Sequence, residues 1–220
     1  MKKLVIFDMD GTIADTSPGI MASYRHVAIE LGHQLPSNED LSTVIGGSLP
    51  ANLQRVYNLH NNEVKKAVEI YRDYYSREGY NKSSPYNGVK DAVIELKKYN
   101  CTLAVATMKA ETFAVKLMNE WGLSNYFSYI YGVDTNDSIS KPDMIFKCMS
   151  NSRISNHNTI MVGDSPQDLK AAEMCKTDFL AVTYGFQYTK KECLSNNIPF
   201  VTDAKSISKY IINLMENEGL

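Results

Sequence analysis

The sequence predicts an α/β protein: a doubly wound parallel sheet with helices on both faces, interrupted after its first strand by an inserted α-helical domain. Three observations predict it. Short unbroken apolar runs at 4–7, 101–106, 129–133, 159–162 and 179–183 end in turn residues, as buried parallel strands do. Segments of helical periodicity separate the later runs. One long stretch, from Thr16 to Ser84, has helical spacing and no strand-like alternation. The boundaries read as 1–15 and 85–220 for the α/β core and 16–84 for the helical insertion, with hinges expected near Thr16 and Ser83-Ser84-Pro85.

Each element has a local cause. In the insertion, Ile20, Tyr24, Val27, Ala28 and Leu31 share a helix face, and Gly32 stands where a C-cap glycine belongs. Ser48 and Pro50 resemble an N-cap followed by a first-turn proline. Asn62 is expected to cap a helix whose stripe is Val64, Ala67, Val68, Tyr71 and Tyr75. Tyr71, Tyr74, Tyr75 and Tyr80 read as packing, and His26, His33 and His60 as surface or packing residues. In the resumed core, Val89, Ala92, Val93 and Leu96 make a helix. Phe113, Leu117 and Trp121 make another, ended by Gly122. Lys141 opens a third, and Ile207, Tyr210, Ile211 and Leu214 mark the last.

Composition narrows the function. The 220 residues are 44% hydrophobic and 22% charged, an ordinary folded composition that excludes disordered or low-complexity classes. Lys+Arg is 23 against Asp+Glu 25, so there is no basic excess for nucleic acid or a membrane surface, and a small soluble substrate is expected. Cys101, Cys148, Cys175 and Cys193 form no C-x-x-C pair, which fits neither a disulfide scaffold nor a zinc site. The apolar run after Met1-Lys2-Lys3 stops at Asp8, too short for a signal peptide. No stretch approaches a membrane span, and a cytoplasmic location is expected.

Ligands of such sheets bind at the carboxyl ends of strands near the topological switch point. The residues standing there are informative. Asp8-Met9-Asp10-Gly11-Thr12 follow the first run, Thr107 follows the second, and Gly163-Asp164 with Asp168 follow the fourth, while Lys141 opens a helix. Asp8 and Asp10, two apart, point to one side, and Gly11 lets the backbone turn away at once. Crowded carboxylates are costly unless a cation joins them, and an all-oxygen donor set suits Mg²⁺ with a substrate phosphate. Thr107 can donate to a phosphoryl oxygen. Lys141 supplies positive charge and keeps a neighbouring aspartate ionised, hence nucleophilic.

With these residues in place the chain resembles the haloacid dehalogenase superfamily of phosphatases. Asp8-Met9-Asp10-Gly11-Thr12 is similar to its first motif, Thr107 to its second, Lys141-Pro142 to its third, and Gly163-Asp164-Ser165 with Asp168 to its fourth. In the insertion, Asp15-Thr16-Ser17-Pro18-Gly19-Ile20, Ile45-Gly46-Gly47, Tyr71-Arg72 and Tyr86-Asn87-Gly88-Val89 resemble the branch with a small helical cap, which includes phosphoglycolate phosphatases, pyrophosphatases and 5′-nucleotidase-like enzymes. The resemblance implies that Asp8 attacks phosphorus, and that Asp10 protonates the leaving oxygen and then deprotonates water. It implies that Mg²⁺ is held by Asp8, the Asp10 carbonyl and Asp164, with Asp168 orienting Lys141 or a metal-bound water. Thr107 and the Met108 N–H would hold the phosphoryl group, and the Met108 side chain would make that wall of the pocket apolar. Ser48, Arg55 and Lys109 are candidates to meet the substrate, though each also reads as an ordinary surface residue.

The rival readings differ in particular residues. A calcium loop fails because Ile13 occupies the place of its glycine. A dehalogenase does not need Asp10, a phosphonate hydrolase needs a cap lysine that Lys65 and Lys66 do not supply, and a mutase would carry a histidine where Ile20 stands. A receiver module lacks both the insertion and the Asp10 acid/base. The expected function is a phosphoglycolate phosphatase-like phosphomonoesterase, with a 5′-nucleotidase or pyrophosphatase as the alternative, a phosphomutase after these and a receiver module last.

Overall fold

The computed structural model describes residues 3–45, 47–134 and 138–218. In chain order the strands are β1 (Leu4–Phe7), β2 (Ala14–Asp15), β3 (Ser84–Pro85), β4 (Thr102–Ala110), β5 (Tyr129–Val133), β6 (Thr159–Gly163), β7 (Asp178–Val182) and β8 (Phe200–Val201). The helices are α1 (Ser17–Leu31), α2 (Asn38–Ser42), α3 (Leu49–Tyr57), α4 (Asn61–Tyr74), α5 (Val89–Lys98), α6 (Glu111–Glu120), α7 (Lys141–Ser152), α8 (Pro166–Cys175), α9 (Lys190–Ser195) and α10 (Lys205–Glu218). The chain divides into two units, Met1–Ala14 with Pro85–Leu220, and Asp15–Ser84. Asp15 goes with the second because its carboxylate accepts from the Ser17 N–H and hydroxyl.

In the first unit the sheet order is β5-β4-β1-β6-β7-β8, every neighbouring pair being parallel. Successive strands are laid from β1 toward β4 and β5, and then from its other side toward β6, β7 and β8. The switch point therefore lies at the carboxyl end of β1. Strand β1 is covered on both faces, which is why its four residues are all apolar and buried. On one face Leu4 and Ile6 join Ala104, Ala106, Met161 and Ala181 against Met144, Ile145 and Cys148 of α7 and Ala171, Ala172 and Cys175 of α8. Phe7 meets Phe127 edge-on at 5.8 Å. All four cysteines are buried and unbridged.

One strand departs from expectation. The apolar run stops at Ala106, but β4 continues to Ala110, so Thr107 lies inside the strand rather than after it. Ala106 stands opposite Tyr131 and Ala110 opposite Val133, so four steps along β4 match two along β5. The register shifts there, yet Met108 and Ala110 still pack on the same apolar cluster as Ala104 and Ala106, so the alternation of side chains carries through. Strand β8, only two residues long, and the short helix α9 also go beyond the periodicity reading.

The second unit is helical throughout its interior. Helix α1 ends at Gly32, whose φ of 71° closes the C-cap. Tyr24 packs against Tyr57 and Tyr71, and Tyr71 stacks on Tyr75, so these tyrosines are core. His26 stacks on Tyr74 with ring centres 4.5 Å apart. Ser48 is the N-cap residue of α3 and Pro50 lies in its first turn, although the Ser48 side chain makes no capping bond. The cap of α4 needs correction: it is His60, not Asn62, and the His60 N–H donates to Glu63 Oε2 at 2.8 Å. Periodicity locates the apolar stripe, but the polar residues ahead of it do not reveal which one leaves the helix first.

Ile6→Ala is expected to lower stability by about 2–5 kcal/mol, because its buried methyl groups have no neighbour free to fill the gap. Urea denaturation with an unchanged m-value would read this directly; a loss under about 1 kcal/mol would contradict the packing described for β1.

Candidate functional site

The site grows from the end of β1. The Asp8 N–H still donates to the Val162 carbonyl at 2.9 Å, so the sheet itself holds Asp8. The chain then turns tightly, with the Met9 carbonyl accepting from Thr12, Ile13 and Ala14. Gly11 has φ 84°, and a Cβ there would collide with the Asp164 carboxylate and the Phe186 ring. Only glycine satisfies both the backbone conformation and that close approach.

Lys141 is the first residue of α7, whose start is set by a capping box between Ser140 and Asp143. Its Nζ donates to Asp8 Oδ1 at 2.8 Å and to Asp168 Oδ1. The other Asp168 oxygen accepts from the Ser165 N–H at 3.1 Å and the Ser165 hydroxyl at 2.7 Å, forming the capping box of α8. Asp168 therefore both caps a helix and holds Lys141. Asp164, just past β6, accepts the Phe186 N–H on Oδ2 at 2.7 Å, and its carbonyl accepts from the Tyr188 N–H. Tyr184 donates to the Thr12 carbonyl at 2.8 Å, with its ring edge against Tyr86.

The alternation of β4 decides where Thr107, Met108 and Lys109 go. Thr107 Oγ1 accepts the Lys109 N–H at 3.2 Å. Lys109 Nζ lies 2.9 Å from Asp10 Oδ1 and 3.2 Å from Oδ2, the hydrogen bond running to Oδ2. Lys109 is thus a buried partner of Asp10, which corrects its reading as a surface residue. The half-buried Met108 side chain packs against the apolar cluster shared by the sheet, α7 and α8.

Four carboxylates (Asp8, Asp10, Asp164, Asp168) and two ammonium groups (Lys109, Lys141) are buried at this edge. Burial, only partly countered by Lys141, and then the charges of Asp168 and Asp10 push the Asp8 carboxyl up to about 7. Burial, followed by Asp8 and Asp168, pushes Asp164 up to about 8. Burial pulls Lys141 down, but Asp168 and Asp8 outweigh it and hold the ammonium above its ordinary value. Oxygens of Asp8, Asp164 and Asp168 lie within 4.8 Å of one another. An all-oxygen cluster carrying uncompensated negative charge fits a hard divalent cation. Asp168, with both oxygens taken up by Lys141 and Ser165, is the least available of the three.

Of the residues expected from sequence, Asp8, Lys141 and Asp168 meet directly, Asp164 borders Asp8, and Asp10 pairs with Lys109. Ser48 and Arg55 belong to the helical unit, where both are exposed and Arg55 Nη2 donates to Thr43 Oγ1 at 2.9 Å. Gly46, of the expected Gly46-Gly47-Ser48 loop, lies outside the described residues. Ser165, Tyr184 and Phe186 are additions. The Ser165-x-x-Asp168 spacing was a readable capping signal, whereas nothing in Thr183-Tyr184-Gly185-Phe186 marks a carboxylate clamp.

The aspartate–lysine–aspartate cluster stands at the switch point of a doubly wound sheet, where ligands of such sheets bind. The chain belongs to the haloacid dehalogenase-like hydrolases, whose family model matches residues 5–182. It is 32% identical over 185 residues to the tyrosine-protein kinase PtkA of Mycobacterium tuberculosis, covering 84% of this chain and 63% of that protein. It is 31% identical over 193 residues to a phosphoglycolate phosphatase of Agrobacterium fabrum, covering 84% of this chain and 82% of that one. The crystal structure of a predicted phosphatase from Clostridium acetobutylicum superimposes with a TM-score of 0.89 at 27% identity, covering 97% of this chain and 99% of that one.

The raised carboxyls give a pH-dependent test. Asp8 and Asp164 keep protons in the folded state that an unfolded carboxyl has already released, so without a cation their burial lowers stability progressively as pH rises from about 4 to about 8. A divalent cation relieves that cost and is expected to raise the thermal midpoint more at about pH 8.5 than at about pH 5.5. Thermal unfolding in EDTA and in MgCl₂ checks it; equal increments at both pH values, or an undiminished increment in Asp164→Asn, would contradict the cluster as a cation site.

Proposed function

We propose that the chain is a Mg²⁺-dependent phosphatase hydrolysing a small phosphate monoester through an aspartyl-phosphate, with phosphoglycolate the leading substrate. The observation that carries this reading is Asp8, fixed at the end of β1, with Lys141 Nζ at 2.8 Å and Asp164 alongside. Family membership and the phosphoglycolate phosphatase relatives support it. The helical unit carries no basic excess, in keeping with a small substrate.

In the first half-reaction an oxygen of Asp8 forms a bond to phosphorus as the phosphorus–oxygen bond to the alcohol breaks. The Asp10 carboxyl gives its proton to that leaving oxygen. In the second, Asp10 takes a proton from water, whose oxygen attacks phosphorus and returns Asp8 as a carboxylate with release of phosphate. Lys141 keeps Asp8 oriented and offsets charge on the transferring group, and Asp168 holds Lys141 in place. Thr107 and the Met108 N–H are the proposed donors to the phosphoryl oxygens. Mg²⁺ bound by Asp8, the Asp10 carbonyl and Asp164 would neutralise phosphoryl charge. Among the described residues no helix is long and apolar enough to cross a membrane; the proposed location is the cytoplasm.

Similarity to PtkA favours one second reading, in which a tyrosine hydroxyl replaces water as acceptor of the same phosphoryl group.

A Mg²⁺-dependent screen of phosphoglycolate, nucleoside monophosphates, pyrophosphate and sugar phosphates is expected to show one preferred ester. Asp8→Asn should abolish its turnover, and Asp10→Asn should lower kcat by about 10²–10⁴-fold. Full activity in Asp8→Asn would overturn the reading. Transfer of labelled phosphate from ATP to tyrosine without ester hydrolysis would favour the second.

A further inference from the structure

We infer that Lys109 is a positioning residue for Asp10: it holds the acid/base carboxyl in one orientation and does not bind the substrate. The inference rests on the phosphatase reading and deepens it. Four observations carry it.

The first is the contact itself. Lys109 Nζ reaches both Asp10 oxygens, at 2.9 and 3.2 Å, and a cation straddling a carboxylate restricts rotation about its Cβ–Cγ bond. The second is burial. Both side chains are more than nine-tenths removed from solvent, so water does not compete for either partner.

The third is how rigidly the main chain presents Lys109. Its N–H donates to Thr107 Oγ1, and its carbonyl lies directly against Gly132 of β5. A Cβ on Gly132 would collide with that carbonyl and come within 2.7 Å of the Glu111 backbone. The Gly132 N–H in turn donates to Glu111 Oε2 at 3.3 Å. Strand β5 is therefore pressed against the end of β4, where the register shifts, and the alternation that sends Met108 to the apolar cluster leaves Lys109 on the face that reaches Asp10. The fourth is division of labour. Lys141 is engaged by Asp8 and Asp168, so Asp10 has its own lysine from a different element. Since small misplacements of a reacting group cost orders of magnitude in rate, fixing Asp10 is a catalytic requirement that Lys109 is placed to meet.

The experiment compares Lys109→Met and Lys109→Arg with wild type on three probes: p-nitrophenyl phosphate, whose leaving group departs without a proton, ethyl phosphate, and phosphoglycolate. If Lys109 acts through Asp10, Lys109→Met lowers kcat on both alkyl esters by about 10–100-fold with KM within about threefold, whether or not the ester carries a second anion. The pre-steady-state burst of p-nitrophenolate stays within about threefold of wild type, because that step needs no acid. Lys109→Arg recovers part of kcat. In an Asp10→Asn background, Lys109→Met costs less than about threefold further, which keeps the test valid even where the single variant is destabilised.

A rise in KM confined to phosphoglycolate would overturn the inference in favour of substrate binding. A loss in the p-nitrophenolate burst rate as large as the loss of kcat on the alkyl esters, or an undiminished loss in the Asp10→Asn background, would overturn it as well. Asp8→Asn assayed in parallel separates this from failure of the phosphatase reading, which its retained activity would signal.

Discussion

The organising constraint is negative charge at one edge of a buried sheet. Four carboxylates and two ammonium groups sit where β1, β4, β6 and α7 converge, with little solvent to screen them. Lys141 is the contact on which the arrangement depends most. It joins Asp8, from the first strand, to Asp168, in the first turn of α8, more than a hundred residues away in sequence. Without it those carboxylates would face each other unpaired, and burial alone disfavours ionising even one of them.

That constraint explains why the surrounding backbone is so specific. Gly11 leaves room for the Asp164 carboxylate, the Phe186 N–H satisfies one of its oxygens, and Tyr184 fixes the Thr12 carbonyl in the adjacent turn. These contacts come from the segment after β7, which brings no charged group to the site. It supplies neutral donors where another cation would weaken the demand for a metal. The result is a cluster whose charge is partly balanced by lysine and left for a divalent cation to complete.

The alternation of β4 carries past its apolar run: Met108 and Ala110 pack with Ala104 and Ala106 on the apolar cluster, and Lys109, on the opposite face, reaches Asp10. Asp10 thereby acquires a partner distinct from that of Asp8, so the two carboxylates of the first motif occupy different electrostatic settings although they are two residues apart. Such separation fits the roles proposed above, Asp8 as nucleophile and Asp10 as acid and base.

The sequence by itself determined the fold class, the succession of the principal strands along the chain, and the presence of Asp8, Asp10, Lys141, Asp164 and Asp168 at strand ends or helix starts; Thr107 it placed after a strand that in fact runs on to Ala110. These are consequences of local periodicity, turn chemistry and motif spacing, which need no knowledge of distant contacts. It also contained the Ser165-x-x-Asp168 capping pattern, because a helix start is a local event. The tertiary structure alone decided the pairing of Lys109 with Asp10, the packing of Met108, the clamp of Phe186 on Asp164 and the extension of β4 past its apolar run. Each depends on which distant segments the fold brings together, and the extension of β4 on its pairing with β5. Neither the hydrophobic pattern of a segment nor its residue propensities carry that information, because register is a property of two strands together.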